Sequence, residues 1–100
     1  MKLASARDVS AVLKLLREKH PLNRRLRVRV IPMAGHGSTC MNDFERLITI
    51  SLREQDNASE QVNYLIHEYA HAMEYDKLGI HSKLWGQLHS KIYTTWVQNF

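Results

Sequence analysis

The run Asn57-Ala58-Ser59-Glu60-Gln61-Val62-Asn63-Tyr64-Leu65-Ile66-His67-Glu68-Tyr69-Ala70-His71 decides how this chain is read. Asn57 is a good helix cap and Glu60 follows three residues later, the spacing at which the two ends of a first turn satisfy each other. Val62, Leu65 and Ile66 then recur at helical spacing, so the helix has a core-facing side. The pattern predicts a helix from near Asn57 to about Leu78, with Gly79 as its stop.

Outward from this helix, the upstream half carries two alternating stretches. Leu26, Val28 and Val30 share one face and Arg27 and Arg29 the other, a half-buried strand closed by Pro32. A second strand spans Leu47–Leu52, with Ile48, Ile50 and Leu52 inward and Thr49 and Ser51 outward. A short extra strand fits around residues 38–42, after the loop Gly35-His36-Gly37-Ser38. A first helix is expected from Ser5, with Asp8 three residues on, carrying the stripe Val9, Val12, Leu13 and Leu16. It ends at His20-Pro21, because a residue before proline avoids helical geometry. Downstream, a third helix begins near Ser82 and runs through Leu84, Trp85, Leu88, Ile92 and Trp96. Helix, small β-sheet, motif helix and C-terminal helix make an α+β arrangement.

Within the central helix, His67-Glu68-Tyr69-Ala70-His71 has the H-E-x-x-H form. Residues four apart share a helix face with Cβ atoms about 5–6 Å apart, so His67 and His71 can converge on one zinc ion. Glu68 reaches a water held by the metal rather than the metal itself, and can act as general base. A shuffled chain with six His and six Glu would show this pattern in roughly 2% of cases. A catalytic zinc keeps three protein ligands and one open position. Glu74, one turn beyond His71, is one candidate for the third ligand, or else a partner behind His71. His81, at the head of the next helix, fits better, since three imidazoles form an open zinc site. His89 and Tyr93 could each hydrogen-bond a developing oxyanion, although ordinary positions on an amphipathic helix explain both better. His36 lies in the loop and is not expected to be a ligand.

Composition sets the wider limits. The 100 residues are 44% hydrophobic and 24% charged, ordinary values for a single globular domain spanning residues 1–100. No run approaches the roughly 18 apolar residues of a membrane span, and Lys2, Arg7 and Asp8 interrupt any leader-like run at the start. Cys40 is the lone cysteine, so no internal disulfide forms, which suits a reducing, cytoplasmic setting; it reads as a small loop or core residue. Charge is uneven: residues 1–54 hold 11 Lys/Arg against 5 Asp/Glu, and residues 55–100 hold 3 against 5. Arg24, Arg25, Arg27 and Arg29 supply much of the excess. They form either a patch that attracts nucleic acid or a solvated strand face.

The stretch Leu65-Ile66-His67-Glu68-Tyr69-Ala70-His71-Ala72, followed by Gly79-Ile80-His81-Ser82-Lys83-Leu84-Trp85, resembles the SprT-like and WLM group of zincin metallopeptidases. In that group a histidine heads the next helix and an aromatic residue follows, as His81 and Trp85 do here. The resemblance implies a zincin-like fold and one zinc ion on His67, His71 and His81, with Glu68 as catalytic base. It also implies peptide substrates lying extended beside a sheet edge. Some relatives act on DNA-linked proteins, which would give the arginine-rich strand a role. Ser82 stands where glycine is frequent, and no cysteine-rich ribbon is present in these residues. A zinc metalloendopeptidase is therefore expected, with a peptide pairing most naturally with the Leu47–Leu52 strand. The alternative is a nucleic-acid or protein binding module whose zinc serves folding only, with Glu74 or His89 completing a four-ligand shell.

Overall fold

Both alternating stretches become strands, β1 (Arg25–Ile31) and β3 (Leu47–Arg53), with β2 (Gly37–Asn42) between them in sequence. The computed structural model describes residues 8–78 and 84–99, Leu78 by its backbone alone. Its helices are α1 (Val9–Lys19), α2 (Ala58–Leu78) and α3 (Trp85–Asn99). Three helices and a three-stranded sheet make a small α+β domain. Gly79, His81 and Ser82, expected to end α2 and begin α3, lie outside the described residues, as does Ser5. No helix among the described residues is long and apolar enough to cross a membrane.

Asp8 corrects the expected start of α1. Its backbone is extended and its carboxylate accepts from Ser10 N at 2.8 Å, so Asp8 is itself the cap. α1 then buries Val12 and Leu16 against α2 and α3.

The strand order is β1-β3-β2, with β3 parallel to β1 and antiparallel to β2. The Leu47–Leu52 strand, expected to offer an edge, is therefore the middle strand, hydrogen-bonded on both sides. Its residues explain this: Ile48, Ile50 and Leu52 are fully buried, and even outward Ser51 is only 3% exposed. Among the described residues, the free edges belong to β1 and β2. Register puts Leu26, Ile48 and Met41 in one row and Val28, Ile50 and Thr39 in the next. These rows face the helices, whereas Arg27, Thr49 and Cys40 line the opposite face, so Cys40 is an exposed strand residue. Val30, expected inward, is 43% exposed; near the end of an edge strand it has neighbours on one side only.

Two polar junctions fasten α2 to the segment between α1 and β1. Arg24 Nη1 donates to the carbonyls of Tyr75 (3.0 Å) and Asp76 (2.8 Å), closing the last turn of α2. Asp76 in turn accepts from the backbone N–H groups of Asn23 and Arg24. The second junction is Tyr69, fully buried, whose hydroxyl donates to His20 O at 2.7 Å. That burial pushes the Tyr69 phenol up to about 12. Burial, with Lys77 and Lys91 nearby, holds the His20 imidazole below its ordinary range. Thr95 gives its one hydroxyl hydrogen to Lys91 O, so His20 Nε2–H donates to Thr95 Oγ1 at 2.8 Å.

Tyr69→Phe removes only the hydroxyl and leaves the carbonyl of His20 without its buried donor. We expect a loss of about 1 kcal/mol in urea unfolding with zinc uptake unchanged, because the ring points away from the His67 side of the helix.

Candidate metal centre

α2 starts as its first turn requires. Asn57 Oδ1 accepts from Glu60 N at 2.8 Å, and Glu60 Oε1 accepts from Asn57 N at 3.3 Å. The helix buries Val62, Leu65, Ile66, Tyr69, Ala70 and Met73 on its core side. His67 and His71 are thereby turned to the partly exposed side, with ring centroids 5.2 Å apart at an interplanar angle of 67°. Two imidazoles bound at about 2.1 Å to one tetrahedral ion would have centroids roughly 5 Å apart. The centroid separation of the pair is the one a shared metal would need.

Glu74 lies behind this pair. Its carboxylate is fully buried and its Oε1 is 3.0 Å from His71 Nδ1. With that carboxylate ionised it can only accept, and the hydrogen would then sit on Nδ1 and the lone pair on Nε2. Glu74 thus stands behind the His71 ring, away from solvent.

Glu68 is 7% exposed, and its burial is arranged by β2. Thr39 Oγ1 lies 2.7 Å from Glu68 Oε1 and gives it a hydrogen bond. Oε2 sits 3.9 Å from His67 Nε2, beside the histidine pair. Gly37 allows the approach, since a Cβ there would stand 3.0 Å from Glu68 Cγ and 3.2 Å from Oε2. Neither Gly37 nor Thr39 was marked by spacing. The only signal was a glycine at the threshold of a strand, which often means close backbone approach.

α3 closes the other side. Trp85 Nε1–H donates to His67 O at 3.2 Å, and its ring lies 4.7 Å from His67 and 5.4 Å from His71. His89 follows, 4.8 Å from Trp85 and 6.2 Å from His67, and burial together with His67 lowers its pKa. Tyr93 is a turn further, 6.2 Å from His89 and 45% exposed. His81, the expected third ligand, lies outside the described residues. Among the described residues, no three His, Cys, Asp or Glu side chains gather as a metal-binding group. His36 is held in place: Nδ1 is 2.8 Å from Asp56 Oδ2 and the ring stacks on Tyr64 at 4.6 Å.

The arginines divide. Arg24 is engaged at the end of α2 with its side chain 18% exposed. Arg25 donates to Glu45 O and Arg29 to Ser51 Oγ, and with Arg27 they remain on the outer face of the sheet.

Glu74→Gln keeps the shape but removes the charge behind His71. Zinc affinity, measured by competition with a chelator, should fall on the order of 10- to 100-fold, with little change in helix content.

Compared with protein-family models, curated proteins and solved structures, the chain matches none. The chemistry of the site rests on its own geometry.

Proposed function

We propose that this chain is a zinc-dependent metallopeptidase of the SprT-like and WLM zincin kind, hydrolysing peptide bonds with Glu68 as general base. The observation that carries the reading is the Glu68 carboxylate, buried beside His67 Nε2 and hydrogen-bonded by Thr39. Burying a carboxylate is costly. A metal held for folding alone has no use for an acid that stands next to the ligands without being one.

His67, His71 and His81 would hold one zinc ion with a fourth position open. Zinc, when bound, supplies Lewis acidity, polarising the substrate carbonyl and bringing a water's pKa toward ~7. Glu68 takes a proton from the attacking water as its oxygen bonds to the carbonyl carbon. The carboxyl then gives that proton to the nitrogen as the C–N bond breaks. His89, beside His67 on α3, offers an N–H to the developing oxyanion. The peptide adds to the free edge of β2, the strand that abuts Glu68.

A polyanion such as nucleic acid is the second partner proposed, on Arg25, Arg27 and Arg29 of the outer sheet face. A cytoplasmic setting suits the exposed thiol of Cys40.

Elemental analysis tests the ligands: wild type should hold one zinc per chain, and His67→Ala, His71→Ala and His81→Ala should each lose it. Glu68→Gln should keep zinc and lose at least ~100-fold in hydrolysis of a denatured protein. Gly37→Ala, which crowds the carboxylate, should lose on the order of 10- to 100-fold. Unchanged cleavage by Glu68→Gln would remove Glu68 as base, and zinc uptake without any hydrolysis would favour a binding module. For nucleic acid, log affinity against log salt should have a slope of roughly −2 to −3 for three arginine contacts. Absence of binding at low salt removes that partner.

A further inference from the structure

The exposed stripe of α2 does not stop at His67. Tyr64, Asn63 and Glu60 continue it toward the N-terminus at three, four and seven residues back. Across from them stand Tyr93 and Trp96 of α3, and the two helices enclose a groove of about 360 Å³ that Ser59 also lines.

Both walls carry aromatic rings in contact with one another. On one side Tyr64 lies flat against His36, 4° from parallel, and Asp56 anchors His36. On the other, Trp85, His89, Tyr93 and Trp96 form a ladder with successive centroids 4.8, 6.2 and 5.5 Å apart. The ladder begins at the rings of His67 and His71, so a line of ring contacts leads from the groove toward the proposed centre.

Its charge is one-sided. Among the described residues, the lining contains the carboxylate of Glu60 and no lysine or arginine. The first-turn cap uses Glu60 Oε1, and the second oxygen is not required by it. Aromatic faces with a carboxylate at the rim favour a cation on an aliphatic stem, through cation–π attraction and a charge-assisted hydrogen bond. An acidic side chain would be repelled there. A purely apolar one would cover Glu60 and Asn63 without giving them partners.

We infer that the α2–α3 groove is a side-chain subsite for a lysine or arginine of the peptide substrate. The inference rests on the peptidase reading and extends it to specificity.

The test scans lysine, arginine and norleucine through each position of a fluorescent peptide. At one position the basic residues should raise wild-type kcat/KM about 5- to 20-fold over norleucine, mainly through KM. Glu60→Gln preserves the cap, since glutamine serves there equally, and should collapse that ratio toward one. Tyr93→Leu should lower it about 3-fold. Cleavage without a basic preference, or with a preference that persists in Glu60→Gln, overturns the subsite and leaves the peptidase reading standing. Affinity of the same peptides for zinc-loaded Glu68→Gln provides a readout without turnover. If wild type cleaves nothing but basic peptides bind there more tightly, and Glu60→Gln in that background abolishes the difference, the groove stands as a binding site for a basic side chain while the peptidase reading falls. If neither cleavage nor Glu60-dependent binding is seen, both fall.

Discussion

A carboxylate withdrawn from water must be met by something, and at the meeting of α2 and β2 it is met by Thr39. The Thr39 hydroxyl also lies 3.1 Å from the main-chain carbonyl of Glu68, so strand and helix meet closely here. The close approach accounts for the glycine two residues earlier, where a Cβ would crowd Glu68. With the carboxylate fixed, His67 and His71 are oriented by the same helix, and Glu74 stands behind His71. Sheet, helix and imidazoles are thus aligned through a single buried acid.

α2 serves three neighbours at once. Its apolar side closes the core against β3, with Leu65 and Ile66 fully buried. Its polar side presents the histidines to α3, whose Trp85 reaches back to the carbonyl of His67. Its last turn is clasped by Arg24, which converts a residue from a basic strand entry into a structural fastener. A helix held at so many points has little freedom to rotate, and two imidazoles four residues apart can face one point only if it keeps still.

Much of this was legible in residues alone. Alternation marked β1 and β3, the Asn57–Glu60 pair marked the start of α2, and the helical spacing of Val62, Leu65 and Ile66 chose its buried side correctly. What could not be read was lateral order. Alternation says which face of a strand is apolar, not which strand sits in the middle, so β3 was taken for an edge. The buried Ser51 and the three fully covered aliphatics of β3 are consequences of two-sided pairing that only the assembled sheet reveals. Contacts between distant segments, such as Thr39 with Glu68 or His36 with Tyr64, leave no periodic trace. Glu74 was visible as a candidate because its contact is local, three residues from His71.

The two rims of the sheet are unlike each other. β1 bears Arg25, Arg27 and Arg29, and Arg17 of α1 donates to its Leu26 carbonyl at 3.0 Å. Charged side chains and an occupied acceptor make it a poor template for another strand. β2, Gly-Ser-Thr-Cys-Met-Asn, has no charge along its whole length. A foreign chain seeking main-chain partners is thus discouraged on one border and admitted on the other. The unguarded border belongs to the strand whose Thr39 holds the buried acid.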